Sequence, residues 1–232
     1  MPAFPIVDSH VHLYDVDRLS YGWLKGVPKI NRSYGLEDFD RARATVQVEK
    51  LVFAEVAVDP GLHLDEAALI QGLSDADARL AGIVAHAPME RGRAVQTDLD
   101  TLAQLPAVRG IRRLIETERD PSFAIEPGFL DAVRLLPSYG YTFDICVKHF
   151  AMIYAIELAR RCPEVSFVLD HIGKPDNQAR PARAVVEPDC RAGEHAQCCL
   201  QDLRGDNRGR PPSLDRRGGE TLCRACDRVL RI

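Results

Sequence analysis

The 232-residue sequence lacks several features that would narrow its class at once. No apolar run approaches the roughly 20 residues that a membrane-spanning helix needs. The opening "MPAFPIVDSH" has neither a basic start nor a long apolar stretch behind it, so no secretory signal and no membrane partner are expected. The cytoplasm is the default location. No G-x-G-x-x-G or G-x-x-x-x-G-K-[ST] follows the first apolar segment, which removes the main argument for a nucleotide-binding fold. A net charge of -4 supplies no bulk positive field for nucleic acid or anionic lipid. What remains is an ordinary globular composition, 46% hydrophobic and 28% charged, long enough for one large domain or two small ones.

Other absences are local. Residues 177–232 contain no Lys, Phe, Tyr or Trp, yet they hold eleven arginines and five of the seven cysteines. Residues 1–176 hold all five lysines, every aromatic residue and only Cys146 and Cys162. A composition step this sharp divides the chain in two.

In the first part, short runs rich in β-branched residues alternate with stretches of helical period. Strands are predicted at 4–10, 50–58, 80–88, 108–115, 141–147 and 165–171. The segments between them, such as "HLDEAALIQGLSDAD" and "AMIYAIELARRC", place apolar residues at three- and four-residue spacing. Six strands with helical crossovers imply an α/β fold, a parallel sheet covered by helices. Doubly wound sheets and (β/α)8 barrels both fit that pattern.

The polar residues favour the barrel, whose chemistry gathers at the C-terminal strand ends. Four predicted strands end in His or Arg: His10 and His12, His86, Arg112 with Arg113, and His171. The fifth runs on into Lys148 and His149. His10 and His12 are two residues apart, so on a strand both imidazoles leave the same face. Neutral imidazoles this close suit a divalent metal such as Zn²⁺, which can bring a bound water's pKa to about 7.

Together, "IVDSHVHLYD", "YGWL", "GIRRLIE" and "FVLDHIGKP" resemble the amidohydrolase-related TIM-barrel hydrolases. The likeness is to the branch of fuconolactonase-like and pyrone-dicarboxylate lactonase-like enzymes, and it covers about residues 4–176. It implies a (β/α)8 TIM barrel of the metal-dependent hydrolase type, here incomplete: about six βα units, with strands seven and eight missing. It implies hydrolysis of a small sugar-derived or aromatic-catabolic lactone. His10, His12 and His171 would be the metal-binding set, with Zn²⁺ as first choice, although some lactonases of this branch work without a metal. His171 would lie beside the reacting carbonyl. Arg112 or Arg113 would face a substrate carboxylate or hydroxyl, and Trp23 would wall the pocket. His86, Lys148 and His149 complete the substrate-binding candidates. A related alternative is a metal-dependent decarboxylase with a similar first-strand H-x-H. The family's strand-eight aspartate, its general base, has no counterpart in this sequence.

Three readings compete for residues 177–232. Cys223 and Cys226 in "CRAC", with the arginines, suggest a non-enzymatic metal- or nucleic-acid-binding module, but one C-x-x-C without a second pair is a weak signal. A disordered basic tail is the second reading. The third is a lost reading frame. If the last two bases of each codon are joined to the first base of the next, "CLQDLRGDNRGRPP" can become "VCKISGVITEADH", which resembles the family's seventh strand. Frame loss at about Asn177 is the expectation taken forward, with a poorly ordered tail and impaired activity. Oligomeric state is not legible.

Overall fold

A computed structural model describes residues 4–175 of the chain. Six strands form one parallel sheet: β1 (Ile6–Val11), β2 (Val48–Ala54), β3 (Leu80–His86), β4 (Val108–Arg112), β5 (Thr142–Ile145) and β6 (Phe167–Leu169). Each strand pairs with the next in sequence, in the order β1-β2-β3-β4-β5-β6. Sequential parallel pairing with a helical return after each strand winds the sheet in one direction, and the result is a curled half-barrel with helices outside. All six strands lie where the β-branched runs predict them, although β2 stops at Ala54 and its continuation to Val58 is loop.

The helices are α1 (Leu36–Arg43), α2 (His63–Ala76), α3 (Gln96–Leu102), α4 (Pro127–Val133), α5 (Leu136–Tyr139) and α6 (Met152–Arg161). In α2 the buried residues His63, Glu66, Ala67, Ile70 and Gln71 follow a three-four spacing, so one stripe faces the sheet. The stripe also secures the next layer, because Gln71 Oε1 accepts from the Ala107 amide at 2.9 Å just before β4. The segment 128–140 reads as one helix in the sequence but divides into α4 and α5. Pro137 has no N–H to donate back to the preceding turn, and its ring crowds that turn. Gly140, at φ 71°, then ends α5 in the left-handed conformation that glycine adopts without steric penalty.

Alternation along the strands sorts core from site. Ile111 and Phe143 are fully buried and pair across β4 and β5, and Phe129 of α4 meets Phe143 edge to face at 5.9 Å. That face therefore looks outward onto the helices. The next residues along, Arg112 and Asp144, are also register partners and point to the opposite face, the inside of the curl. Among the described residues, β1 and β6 each pair on one side only. No helix among the described residues is long and apolar enough to cross a membrane. The Arg- and Cys-rich segment 177–232, and every expectation placed on it, lies outside the described residues.

Candidate active site

The site is built where the strands end on the inner face. β1 delivers His10, and His12 follows one residue past its last paired residue. The pairing of β1 with β2 shifts between Asp8 and Val11, so the strand is irregular where His10 emerges. The two imidazoles meet edge to face, with ring centroids 4.9 Å apart, and His10 lies 4.6 Å from the ring of His171. His171 itself sits in a turn after β6 with φ 50°, an uncommon conformation for a residue with a side chain.

Arg112 is the centre of this cluster. Its guanidinium is buried and fully engaged: Nε donates to Glu55 Oε1 at 2.8 Å, Nη1 to Asp170 Oδ2 at 2.8 Å, and Nη2 to the Glu55 backbone carbonyl. Nη1 also reaches His10 Nε2 at 3.3 Å. Burial works against its charge, but the Glu55 and Asp170 carboxylates outweigh that cost and hold it protonated. Asp170 Oδ1 in turn faces His10 Nδ1 at 3.7 Å. Neither Glu55, after β2, nor Asp170, after β6, was singled out by the histidine pattern. Both carry a usable signal, a lone acid at a strand end beside a functional candidate.

Burial sets the charge states. It lowers the pKa of His10 to about 4, against the opposing pull of Asp170, and it lowers His12 as well. His12 Nδ1 donates to the Ala54 carbonyl at 2.9 Å, which fixes the ring and leaves Nε2 as an acceptor. Asp144, buried on β5 and repelled by Asp170, is pushed up to about 8. Glu66 on α2 is likewise pushed up to about 8 by burial, then by Glu55. Among the described residues the thiols offer no nucleophile: burial raises Cys146 to about 12 and Cys162 to about 11.

The structure brings His10, His12, His171 and Arg112 together. It gives the remaining candidates other partners. Arg113 turns away and bridges Glu90 at 2.9 Å and Glu118 at 2.6 Å. His86 ends β3 against His63, with centroids 5.6 Å apart, and His63 is held by Asp98 at 2.9 Å. Lys148 and His149 are exposed in the loop after β5, where His149 Nδ1 meets the Lys174 carbonyl at 3.3 Å. Trp23 lies on a short 3-10 turn, Gly22–Gly26, and donates from Nε1 to the Val56 carbonyl at 2.9 Å. A groove of about 430 Å³ opens beside His12, between Val11 and the Arg32–Ala42 segment. It includes none of His10, Arg112, Asp170 or His171.

Three side chains are spaced to share a cation. One ligand atom from each of His10, Asp170 and His171 lies within 4.8 Å of the other two. Two nitrogens and a carboxylate oxygen form a donor set that suits zinc. Arg112 competes with it, since a His10 Nε2 that accepts from the guanidinium is not free for a metal.

Comparison with known proteins agrees with this fold. A family model described as amidohydrolase matches residues 7–192. An uncharacterized protein, y4mH, from Sinorhizobium fredii is 29% identical over 190 residues, covering 75% of this chain and 64% of its own length. An L-fucono-1,5-lactonase from Burkholderia ambifaria is 22% identical, covering 85% of this chain and 67% of its own. The crystal structure of an amidohydrolase from Burkholderia multivorans with bound zinc superimposes with a TM-score of 0.59 at 23% identity, over 74% of this chain and 59% of that one. The chain thus spans about two thirds of the length of the relatives it matches.

Proposed function

This chain belongs to the amidohydrolase family, and from that premise we propose that its strand-end cluster hydrolyses the ring ester of a small lactone, sugar-derived first. The observation that carries the reading is the convergence of His10, His12 and His171 on the buried Arg112–Asp170–Glu55 network. The lactonase name of the Burkholderia ambifaria relative supports the substrate class.

The chemistry needs little. Water attacks the lactone carbonyl carbon, its proton passes to a base, the ring C–O bond breaks, and the leaving oxygen takes a proton to give the open hydroxy acid. His12 can take the first proton, because its Nδ1–H donates to the Ala54 carbonyl and leaves Nε2 as the acceptor nitrogen of a ring packed against His10. His171, exposed beside His10, is placed to donate to the carbonyl oxygen as negative charge develops. Arg112 acts from beneath as a fixed positive charge that holds the Asp170 carboxylate in place and orients His10. A divalent cation, zinc first, would be held by His10, Asp170 and His171 in place of the Arg112–His10 hydrogen bond, and would supply Lewis-acid charge at the carbonyl.

The test is ring opening by the purified chain across five- and six-membered lactones, followed by acid release, with chelator and with added zinc. Opening of one lactone well above the uncatalysed rate supports the proposal. Failure to open any lactone, with CO2 released from small carboxylic acids in its place, would sink it.

A further inference from the structure

We propose that Asp59 is a positioning residue that holds Trp23 at the mouth of the site, where the indole forms a flat wall for the apolar face of the lactone ring. The inference rests on the lactone reading and adds the residue that sets how tightly such a ring is held.

The observation is a clamp between two loops. Ser20 Oγ donates to Asp59 Oδ2 at 2.5 Å, and the Gly22 amide donates to Asp59 Oδ1 at 2.6 Å. The contact is returned through the backbone, where the Asp59 amide donates to the Ser20 carbonyl at 2.9 Å. One carboxylate therefore closes both sides of the segment that immediately precedes Trp23. Bonds to an ionised carboxylate are the stronger kind, and the two lower the Asp59 pKa below its ordinary value. The approach is so close that a Cβ on Gly22 would stand 2.9 Å from Asp59 Oδ1, so an alanine there would push the carboxylate aside.

The clamp aims the indole. Trp23 Nε1 donates to the Val56 carbonyl, while His12 Nδ1 donates to the Ala54 carbonyl two residues earlier. The wall and the proposed base are thus fixed to the same strand end. Glu55 lies between them and ties this loop to the centre, since Oε1 binds Arg112 and Oε2 accepts from the Ala57 amide at 2.7 Å. Tyr14 supports the indole from behind, with centroids 6.4 Å apart, and the remaining face of Trp23 is open to solvent. An aromatic held by its backbone neighbours contributes contact area at little cost in side-chain entropy.

Trp23 is the sole tryptophan, so intrinsic emission reports this loop alone. In Asp59→Asn the emission is expected to move to longer wavelength and to become more accessible to acrylamide. The Kd of sugar lactones, read from quenching of the same emission, is expected to rise about tenfold, the size of one lost favourable contact. Where turnover is measurable, KM rises and kcat stays within about twofold, the pattern of lost ground-state binding. Gly22→Ala should reproduce all three effects by prising the same contact open, and Trp23→Phe, which has no indole emission, should match the loss in affinity when binding is read by titration calorimetry. Unchanged emission in both Asp59→Asn and Gly22→Ala overturns the clamp, and shifted emission with unchanged lactone affinity overturns the wall. A wild-type chain that opens no lactone refutes the proposed chemistry, while the emission of the two variants still decides whether Asp59 positions Trp23.

Discussion

Arg112 and Glu55 are joined twice, once from Nε to the carboxylate and once from Nη2 to the backbone carbonyl, with both side chains almost wholly removed from solvent. The guanidinium meets Asp170 with its remaining edge, so one cation serves two buried acids just past the ends of β2 and β6. Arg112→Ala leaves both acids uncompensated and should cost about 3–5 kcal/mol of stability. Arg112→Lys keeps the charge but cannot present the planar fork, and it should lose an intermediate amount. Urea unfolding measures both, and a wild-type midpoint for Arg112→Lys would show that fork geometry is not what holds the three strands.

Asp144 predicts a loss of stability as pH rises from about 4 to 8. Its pKa rises from 3.8 to about 8 in the fold, because burial and then Asp170 penalise the charged form. Between those values the folded state holds a proton that the unfolded state has released. The stabilisation is complete below about pH 4 and is lost as pH climbs through 8. Asp144→Asn imitates the neutral acid and does not titrate. The variant should gain on the wild type by a few kcal/mol in order of magnitude between pH 4 and pH 8. A constant difference between the two proteins across that range would refute the shifted carboxyl.

His171→Asn separates chemistry from folding. The residue is exposed and occupies a left-handed backbone conformation, which asparagine tolerates better than most residues. Far-UV dichroism and thermal midpoint should therefore change little. Lactone turnover should fall by about 10² or more, the range for removing one donor at a developing oxyanion. Full turnover in this variant would remove His171 from the reaction.

The fold was legible where local signals agree with tertiary need. β-branched runs mark all six strands, and only the ends of β2 and the break at Pro137 depart from the reading. The half of the site made of histidine was also visible, since H-x-H on a strand places two rings on one face. The acids were not, because Glu55 and Asp170 owe their importance to Arg112, 57 and 58 residues away along the chain. The choice between Arg112 and Arg113 depends on which strand face turns inward, and adjacent arginines read alike until Phe143 and Ile111 fix the outward face.

The composition step at Asn177 makes a prediction about the gene. If the frame is lost there, a single-base insertion or deletion near that codon should restore a continuation containing "CKISG…TEADH", and sequencing the coding DNA decides it. Restoration carries a physical expectation as well. Among the described residues β1 and β6 are paired on one side only, and Val7 on β1 is 40% exposed. Two further strands would satisfy both edges and bury more apolar surface, at about 25 cal/mol for each Å² removed from water. The restored chain should therefore unfold at higher urea, with a steeper dependence on urea because more surface is exposed on unfolding. If no single-base change recovers that continuation, or the recovered chain is no more stable than this one, frame loss is not the explanation for the change in composition.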